Sequence, residues 1–364
     1  MIAIILGTKA ELIKTMPLMK ELSRRKMPYT FIHTGQHSLG ELCDDFNIRK
    51  PDIVLYAPPK LSSRFMVKTH KAIFWGLTLI PKIRKVLNKL QPDFVFYHGD
   101  TLSTAAAALA SSTLLGKKRW LNGHLEAGLR SNNLFEPFPE EISRRIADRC
   151  SDLLFAPSKL SAENVMHLKG RVYMTGNTVV DGIQECLKIA KQRKLPVIKG
   201  KYVAVNIHRH ENIKSRARMT KIYNIIKEVG LPMIWPLHDN TKKQMAKFGL
   251  WDKFNQLNIK FSPLVTYVEF LWMLNNATYL ITDGGSIQEE SLALKKPCIL
   301  LREKTERIEG LSTGLNFLTK LDLEYAEWMI SRIEAGKVNA KKFVNPYGDG
   351  SASKQIADVL EKMK

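Results

Sequence analysis

Acidic residues and a histidine stand in short polar segments of this 364-residue chain, where they could move protons. Asp100, Glu126 and Glu140 lie in segments bounded by glycine or proline, and His208 begins the segment His208-Arg209. Carboxylates held in loops at strand ends are the groups that proton abstraction and leaving-group departure require. The sequence therefore predicts acid/base chemistry, and the other residues must explain what the carboxylates act on.

Two of these carboxylates have different structural alternatives. Asp100 follows a predicted strand and precedes a predicted helix, so N-capping of that helix explains it as well as catalysis does. Glu126 lies between His124 and Gly128 in what reads as a short polar link. A glutamate in such a link has no helix face to decorate, which favours a functional role.

The third carboxylate belongs to a predicted helix that begins after Pro139. Ile142, Ile146 and Cys150 have the spacing of core positions along it. Its first two residues are glutamates, and each has an arginine four residues later, the spacing of a helical ion pair. Adjacent helical residues point about 100° apart, so only one of the two glutamates can face a site.

Short apolar runs alternate with amphipathic helical patterns along the whole chain, which predicts an α/β fold with two doubly wound parallel sheets. The runs that read as strands are 2–6, 31–33, 53–56, 94–97, 153–156, 202–207, 233–235, 259–261, 279–281 and 298–301. Ligands bind such sheets beyond the carboxyl ends of the strands. We expect domains at 1–175 and 176–345, and a C-terminal helical segment at 346–364 that packs back on the first domain.

A second kind of motif occurs where segment 284–286, Gly-Gly-Ser, follows a predicted strand and opens a helix. Glycines let backbone N–H groups approach a phosphate, and the helix N-terminus favours its charge. A tight turn with an acidic first helical turn is an equal alternative. Lys9 and Lys14 follow a similar turn in the first domain, where a plain helix N-terminus is the simpler interpretation. The chain has no G-x-G-x-x-G segment, which argues against a dinucleotide cofactor.

Composition places the chain among ordinary soluble proteins, with 45% apolar and 25% charged residues. The apolar run at 2–6 is too short for a membrane span or a signal peptide, and no other apolar run in the sequence approaches the length of a membrane span. The four cysteines form no CxxC pair, so we expect a reducing cytoplasm and neither a disulfide framework nor a bound metal.

The formal net charge of +21 suits a polyanionic ligand or a lysine-rich surface. Nucleic-acid binding is not expected, because zinc-finger spacing and RNA-binding aromatic motifs are lacking.

Taken together and in order, these segments closely resemble the UDP-N-acetylglucosamine 2-epimerase family over nearly the whole chain. The resemblance rests on the number and order of the motifs rather than on any one of them. They are 7–14 (GTKAELIK), 34–37 (TGQH), 98–101 (HGDT), 124–130 (HLEAGLR), 139–141 (PEE), 176–181 (GNTVVD), 208–209 (HR), 282–283 (TD), 287–290 (IQEE), 305–307 (TER) and 345–350 (NPYGDG).

The resemblance implies a GT-B fold, in which two Rossmann-like domains flank a cleft that holds the nucleotide sugar. It implies anti elimination of UDP from a UDP-N-acetylhexosamine to a 2-acetamidoglucal, followed by addition of UDP back. The implied product of UDP-N-acetylglucosamine is UDP-N-acetylmannosamine, a precursor for surface polysaccharide or glycan synthesis. No cofactor or stable membrane insertion is implied, and a homodimer is expected.

The same resemblance assigns roles to individual residues. Asp100, Glu126 and Glu140 match the acid/base carboxylates, and His208 matches the group that stabilises departing UDP. Phe270 would stack on uracil, and Glu290 would hold the ribose hydroxyls. The other implied substrate contacts are Lys9, Lys14, Arg144, His238, Gly284, Gly285 and Ser286.

The chain departs from the family pattern at two phosphate-facing motifs. Lys9-Ala10 replaces Arg-Pro, and 283–286 reads Asp-Gly-Gly-Ser instead of Asp-Ser-Gly-Gly. Lysine keeps the charge but lacks the bidentate fork of arginine. Three other functions stay open from the sequence: a hydrolysing epimerase that releases UDP and N-acetylmannosamine, a GT-B glycosyltransferase, and a non-enzymatic nucleotide or nucleic-acid binder.

Overall fold

The computed structural model of the chain describes residues 1–57, 69–131, 139–338 and 343–363. The chain divides into two compact units, one formed by residues 1–182 together with 347–364 and the other by residues 183–346. Each unit contains one parallel sheet with helices in its connections. The predicted α/β fold with two Rossmann-like, doubly wound sheets is confirmed.

The first unit contains a seven-stranded parallel sheet in the order β3-β2-β1-β4-β5-β6-β7. Its strands are β1 (Ile2–Leu6), β2 (Tyr29–His33), β3 (Ile53–Val54), β4 (Phe94–His98), β5 (Leu121–Leu125), β6 (Leu153–Ala156) and β7 (Arg171–Met174). Its helices are α1 (Lys9–Arg24), α2 (Gly40–Phe46), α3 (Thr69–Leu90), α4 (Leu102–Ser111), α5 (Glu140–Cys150) and α6 (Lys159–Glu163), and α7 (Thr178–Gln192) crosses the boundary between the units.

The second unit repeats the scheme with a six-stranded parallel sheet in the order β10-β9-β8-β11-β12-β13. Its strands are β8 (Val203–Asn206), β9 (Met233–Pro236), β10 (Ile259–Ser262), β11 (Tyr279–Thr282), β12 (Cys298–Leu300) and β13 (Asn316–Leu318). Its helices are α8 (His210–Ile213), α9 (Arg216–Lys227), α10 (Asp239–Lys247), α11 (Trp251–Asn255), α12 (Tyr267–Asn276), α13 (Ser286–Ala293) and α14 (Leu323–Glu334). Its buried core centres on Trp235 and on the aliphatic side chains of the central strands.

The central strands are buried along their whole length, since parallel strands covered on both faces need continuous apolar runs. The strands that sequence reasoning missed, β5, β7 and β13, lack such runs. Strand β5 reads Leu-Asn-Gly-His-Leu yet lies between β4 and β6. His124 therefore belongs to a buried strand, and the predicted polar link begins only at Glu126. The predicted strand at 53–56 is shorter than expected, since only Ile53–Val54 pairs.

The predicted core positions of α5 are confirmed only in part, because Cys150 packs against a core cluster of the first unit but none of the three is fully buried. Ile142, Ile146 and Cys150 are half-buried, and the two isoleucines line an apolar cavity together with residues of α3 and α4. The buried side of α5 is mostly polar, because its charged side chains find buried partners. Its members are Glu141, Ser143, Arg144, Ala147 and Asp148.

The last helix, α15 (Ala352–Glu361), belongs to the first unit and packs against α1. Arg25 at the end of α1 pairs with Asp358 at 2.6 Å and with Glu361 at 2.8 Å. The Asp181 carboxylate accepts the backbone N–H of Ser353 at 2.8 Å, which anchors the first turn of α15. Among the helices of the described ranges, none has the length and apolarity needed to cross a bilayer.

Candidate functional site

Asp100 lies two residues beyond the end of β4, after Gly99, whose φ is 75°. The N-cap of α4 is Thr101, whose side chain accepts the backbone N–H of Thr104. The capping alternative for Asp100 is therefore wrong. The Asp100 carboxylate instead forms an ion pair with Arg144 of α5, whose side chain is buried.

Glu126 directly follows β5 and has a left-handed backbone, with φ at 71°. That conformation costs roughly 1–2 kcal/mol for a residue with a Cβ atom, and such backbones cluster at functional sites. Its side chain is buried, and Oε1 accepts from Lys14 Nζ at 2.5 Å and from Asn177 Nδ2 at 2.9 Å. The carboxylate is thus held in one orientation beside a cation.

The loop that carries Glu126 requires glycine at position 128. Gly128 has φ at 86°, and a Cβ atom there would lie 1.9 Å from the carbonyl oxygen of Ser161 in α6. Any other residue would push the loop away from α6, so the Glu-Ala-Gly sequence sets the path of the backbone after Glu126.

Sequence reasoning did not select Glu11, which ties two loops of the site together. Its carboxylate accepts the backbone N–H groups of Gly7 at 2.6 Å and Thr8 at 2.7 Å. The same carboxylate accepts the hydroxyls of Thr101 at 2.6 Å and Thr104 at 2.9 Å. Burial raises the pKa of Glu11, although the hydrogen bond from Thr101 opposes that shift. The Thr-x-x-Glu spacing of a capping box was the available signal.

The two predicted glutamate–arginine pairs of α5 differ in the structure. Glu141 is fully buried and pairs with Arg145 at 2.9 Å, as the i,i+4 spacing predicts. Arg144 ion-pairs with Asp100 and lies 3.4 Å from Glu141. Glu140 is half-buried at the first residue of α5. Because it is four residues before Arg144, it shares the helix face that carries Arg144 toward Asp100.

The two lysines proposed as substrate contacts lie in different surroundings. Lys14 is buried against Glu126, whereas Lys9 is exposed in the first turn of α1, near His37. The first unit thus brings Lys14 and Glu126 together and pairs Asp100 with Arg144, while Lys9 reaches solvent.

His98, the last residue of β4, is buried next to these charges. Its Nε2 lies 3.2 Å from the hydroxyl of Thr178. Burial lowers the pKa of His98 to about 3, and the charges of Glu126 and Lys14 act on it with opposite signs. The imidazole is therefore neutral in the folded protein at neutral pH.

This shift predicts the pH dependence of stability. Between pH 6.5 and about 3, the unfolded chain binds a proton at His98 that the folded protein does not bind. The free energy of unfolding should therefore fall on acidification, by up to about 1.4 kcal/mol per pH unit from this group. In His98→Gln, urea titrations should show a loss between pH 6.5 and 4.5 that is about 2 kcal/mol smaller than in the wild type. The exposed control His167→Gln should follow the wild type, and parallel curves for wild type and His98→Gln would refute this account.

In the second unit, Asp283 organises the loop that carries His208. Asp283 follows β11, is fully buried, and accepts the backbone N–H groups of His208 and Arg209, each at 3.0 Å. It also accepts from Asn212 Nδ2 at 3.0 Å. Sequence reasoning noted Asp283 only as part of a turn, but its role is to fix the backbone next to His208.

The two predicted histidines of this unit lie together. His208 follows β8 and stacks on His238, with ring centroids 4.9 Å apart. The side chain of His208 is 41% exposed, and its Nδ1 lies 2.9 Å from Asn206 Oδ1. Burial and the neighbouring His208 lower the pKa of His238. A half-exposed imidazole held from one side can offer its other nitrogen to a ligand.

Segment 284–286 forms the predicted turn at the N-terminus of α13. Gly284 N–H donates to the Thr282 hydroxyl at 2.9 Å, which shapes the turn. At Gly285, a Cβ atom would lie 2.9 Å from Glu306 Oε1, so glycine lets the turn pack on the buried pair formed by Glu306 and Arg307. The turn leads into the N-terminus of α13, and helix N-termini favour negative charge.

The adjacent glutamates of α13 have separate partners. Glu289 is fully buried and lies 3.3 Å from Arg307 Nε. Glu290 is buried and accepts the Tyr267 hydroxyl at 2.8 Å. Burial and the charge of Glu290 raise the pKa of Tyr267 well above its usual value, so the phenol stays a donor. Phe270 lies one turn after Tyr267 on α12 and is half-buried.

The model of one protein family, described as UDP-N-acetylglucosamine 2-epimerase, matches residues 20–361. The chain belongs to the UDP-N-acetylglucosamine 2-epimerase family. A UDP-N-acetylglucosamine 2-epimerase from Methanococcus maripaludis is 36% identical over 378 residues, which cover 99% of this chain and 98% of that protein. The resemblance expected from the motifs is therefore confirmed.

Solved structures of this family agree with the fold. The UDP-GlcNAc 2-epimerase from Methanocaldococcus jannaschii, crystallised with UDP-GlcNAc and UDP, is 32% identical, covers 99% of both chains and superposes with a TM-score of 0.80. The enzyme from Neisseria meningitidis bound to UDP-GlcNAc is 29% identical, covers 99% of both chains and gives a TM-score of 0.81. The predicted GT-B-like fold class is thereby confirmed.

Proposed function

We propose that the protein epimerises UDP-N-acetylglucosamine at C2 to UDP-N-acetylmannosamine and keeps UDP for re-addition. The observation that carries this proposal is the position of Asp100 and Glu126 directly beyond β4 and β5. These strands are neighbours in one parallel sheet, so their carboxyl ends meet at the same edge. Family membership supplies the substrate class, since relatives are named for UDP-N-acetylglucosamine.

The reaction needs only proton transfer and the departure of UDP. A carboxylate removes the C2 proton, the electron pair of the C2–H bond forms the C1–C2 double bond, and the C1–O bond breaks with its electron pair leaving on UDP. UDP then adds back at C1, and a carboxylic acid delivers a proton to the opposite face of C2. Electrons balance without an oxidant or reductant, so residues of the chain itself can carry out both steps.

Asp100, Glu126 and Glu140 are the carboxylates that we assign to these proton transfers. Lys14 beside Glu126 and Arg144 beside Asp100 form ion pairs that hold two of them in place. The same two cations are candidates to contact the sugar, as is Lys9 for phosphate. Glu126 is buried beside a lysine, whereas Asp100 is partly exposed beside an arginine. Different surroundings of this kind are a common way to separate an acid from a base.

Residues of the second unit are assigned to UDP. Segment 284–286, which leads into the N-terminus of α13, is assigned to the diphosphate. His208, with His238 stacked on it, stabilises the negative charge that develops on departing UDP. Phe270 is assigned to uracil and Glu290 to the ribose hydroxyls.

Analysis of the products tests this function. The protein is incubated with UDP-N-acetylglucosamine, and nucleotide sugars and free sugars are separated by anion-exchange chromatography. The proposal predicts an equilibrium mixture of UDP-N-acetylglucosamine and UDP-N-acetylmannosamine without accumulation of UDP. Stoichiometric UDP and N-acetylmannosamine would establish the hydrolysing epimerase instead. Unchanged substrate without an acceptor, together with release of UDP and sugar transfer once an acceptor sugar is added, would establish a glycosyltransferase.

We further propose that the protein is a homodimer and that α3 contributes to the contact. Ile73, Phe74 and Leu77 form an apolar strip on α3, with Phe74 69% and Leu77 56% exposed. Exposed apolar clusters of this kind mark protein interaction sites.

The Leu77→Glu variant tests this contact. Light scattering should shift from twice the 41.5 kDa chain mass toward 41.5 kDa. The matched control is Met166→Glu, at a residue of the first unit that is 68% exposed and lies outside α3. Equal masses for Leu77→Glu and the wild type would contradict the proposed contact.

A further inference from the structure

A buried histidine on β5 links the two loops that carry the candidate carboxylates. His124 Nδ1 lies 2.7 Å from Asp148 Oδ1, and Nε2 lies 2.7 Å from the carbonyl oxygen of Gly99. The side chains of His124 and Asp148 are both fully buried. Neither of them can touch a substrate, so any effect on the chemistry must act through their neighbours.

Hydrogen-bond accounting fixes what His124 does. A backbone carbonyl can only accept, and an ionised carboxylate also only accepts. Burial would raise the pKa of Asp148, but the hydrogen bond from His124 and the charge of Arg130 outweigh burial and hold that pKa below its usual value. Nε2 of His124 therefore donates to the carbonyl oxygen of Gly99, and Nδ1 is hydrogen-bonded to the Asp148 carboxylate. The second Asp148 oxygen lies 2.6 Å from Arg130 Nη1.

These contacts fix the backbone of the two loops that follow β4 and β5. Gly99 is held at its N–H, which donates to Leu125 O at 3.0 Å, and at its carbonyl, which accepts from His124. Asp100 follows that carbonyl directly. The N–H of Gly128, two residues after Glu126, lies 3.3 Å from Asp148 Oδ1.

We propose that His124 and Asp148 are positioning residues that set the Asp100 and Glu126 carboxylates relative to each other. The inference rests on the proposed function, in which those carboxylates move the C2 proton. Helix α5 strengthens the arrangement, because Arg144, one turn before Asp148, ion-pairs with Asp100. Side chains of one helix therefore contact both loops.

The chain offers a matched control for a purely structural role. Asp152 follows α5, ion-pairs with Lys118 and accepts the backbone N–H of Asn122 at 2.9 Å. It thus anchors β5 as Asp148 does, but at the end of the strand away from the carboxylates. Asp152→Asn removes the same charge from a partner of β5, and Asp152 bonds to Asn122 and Lys118 rather than to either loop.

The test compares kcat, KM and UDP affinity in Asp148→Asn and Asp152→Asn. A misplaced catalytic group can cost on the order of 10- to 100-fold in rate. Asp148→Asn should lower kcat by that factor and leave UDP affinity unchanged, whereas Asp152→Asn should keep the wild-type kcat. Equal kcat losses in the two variants would overturn the proposal.

A double-mutant cycle measures whether the effect of Asp148 on kcat depends on Asp100, which a purely structural role does not predict. If Asp148 acts through Asp100, then Asp148→Asn should cost far less in an Asp100→Asn background than in the wild type. Full additivity would overturn the proposal.

Hydrogen exchange separates failure of this inference from failure of the proposed function. If the wild type leaves UDP-N-acetylglucosamine unchanged, the proposed function fails, and the positioning is then measured from the amides of 99–101 and 126–128. These amides should exchange faster in Asp148→Asn than in Asp152→Asn. Equal exchange in the two variants would refute the positioning role.

Discussion

Replacing Glu126 by glutamine is expected to lower kcat for C2 epimerisation about 100- to 10,000-fold, the range over which positioned acid/base groups act. The amide cannot take up the C2 proton, yet it keeps the size of the side chain. Lys14 and Asn177 donate hydrogen bonds to Oε1 and hold this carboxylate in place. Loss of the carboxylate should therefore slow the chemical step. UDP affinity should stay unchanged, because Glu126 is assigned to proton transfer at the sugar and not to UDP.

The control for this variant is Glu163→Gln. Glu163 lies on α6 of the same unit, and its side chain is 52% exposed. It should keep the wild-type kcat. A Glu126→Gln variant that turns over at the wild-type rate would remove Glu126 from the acid/base pair and leave Asp100 and Glu140 as the remaining candidates.

Replacing Glu290 by glutamine is expected to weaken UDP binding about 10- to 100-fold, since hydrogen bonds to charged groups contribute about 1.5–3 kcal/mol. Calorimetry should also show that the variant no longer prefers UDP over 2′-deoxy-UDP, because the carboxylate is assigned to the ribose hydroxyls. The value of kcat at saturating substrate should change little. Tyr267→Phe should produce a smaller loss of the same kind, since the Tyr267 hydroxyl orients Glu290 at 2.8 Å.

Tyr325→Phe is the matched control for the tyrosine variant. Tyr325 lies on α14 of the same unit and is 39% exposed. It should bind UDP like the wild type. If Glu290→Gln retained both the affinity and the preference for UDP, the ribose role of Glu290 would be wrong. The proposed epimerase function does not depend on that role.

Apolar runs were enough to predict most of both sheets and the strand ends that carry the candidate site residues. The runs at β4 and β8 end just before Asp100 and His208, so the periodicity of buried strands located both residues. Strand β5 escaped prediction because its centre is Asn122, Gly123 and His124. Their burial depends on partners elsewhere in the chain, such as Tyr97 for the Asn122 amide at 2.9 Å.

Pairings between distant residues explain the remaining differences at the site. Local spacing offered Glu140 as the partner of Arg144 and the next helix as the partner of Asp100. The fold joins Asp100 to Arg144, 44 positions later, a pairing that local spacing does not indicate. The contact of Tyr267 with Glu290 spans 23 positions and likewise has no local signal. Motif order identified the family, whereas only the three-dimensional structure shows which side chains hold the carboxylates.

Proton NMR of the protein with UDP-N-acetylglucosamine in D2O tests the central claim most directly. Removal and return of the C2 proton through carboxylates predicts growth of UDP-N-acetylmannosamine that carries deuterium at C2. It also predicts that Glu126→Gln slows both deuterium uptake and epimerisation. Conversion with the C2 hydrogen retained would contradict the proton-transfer mechanism, and the absence of both conversion and exchange would contradict the assignment of UDP-N-acetylglucosamine as the substrate.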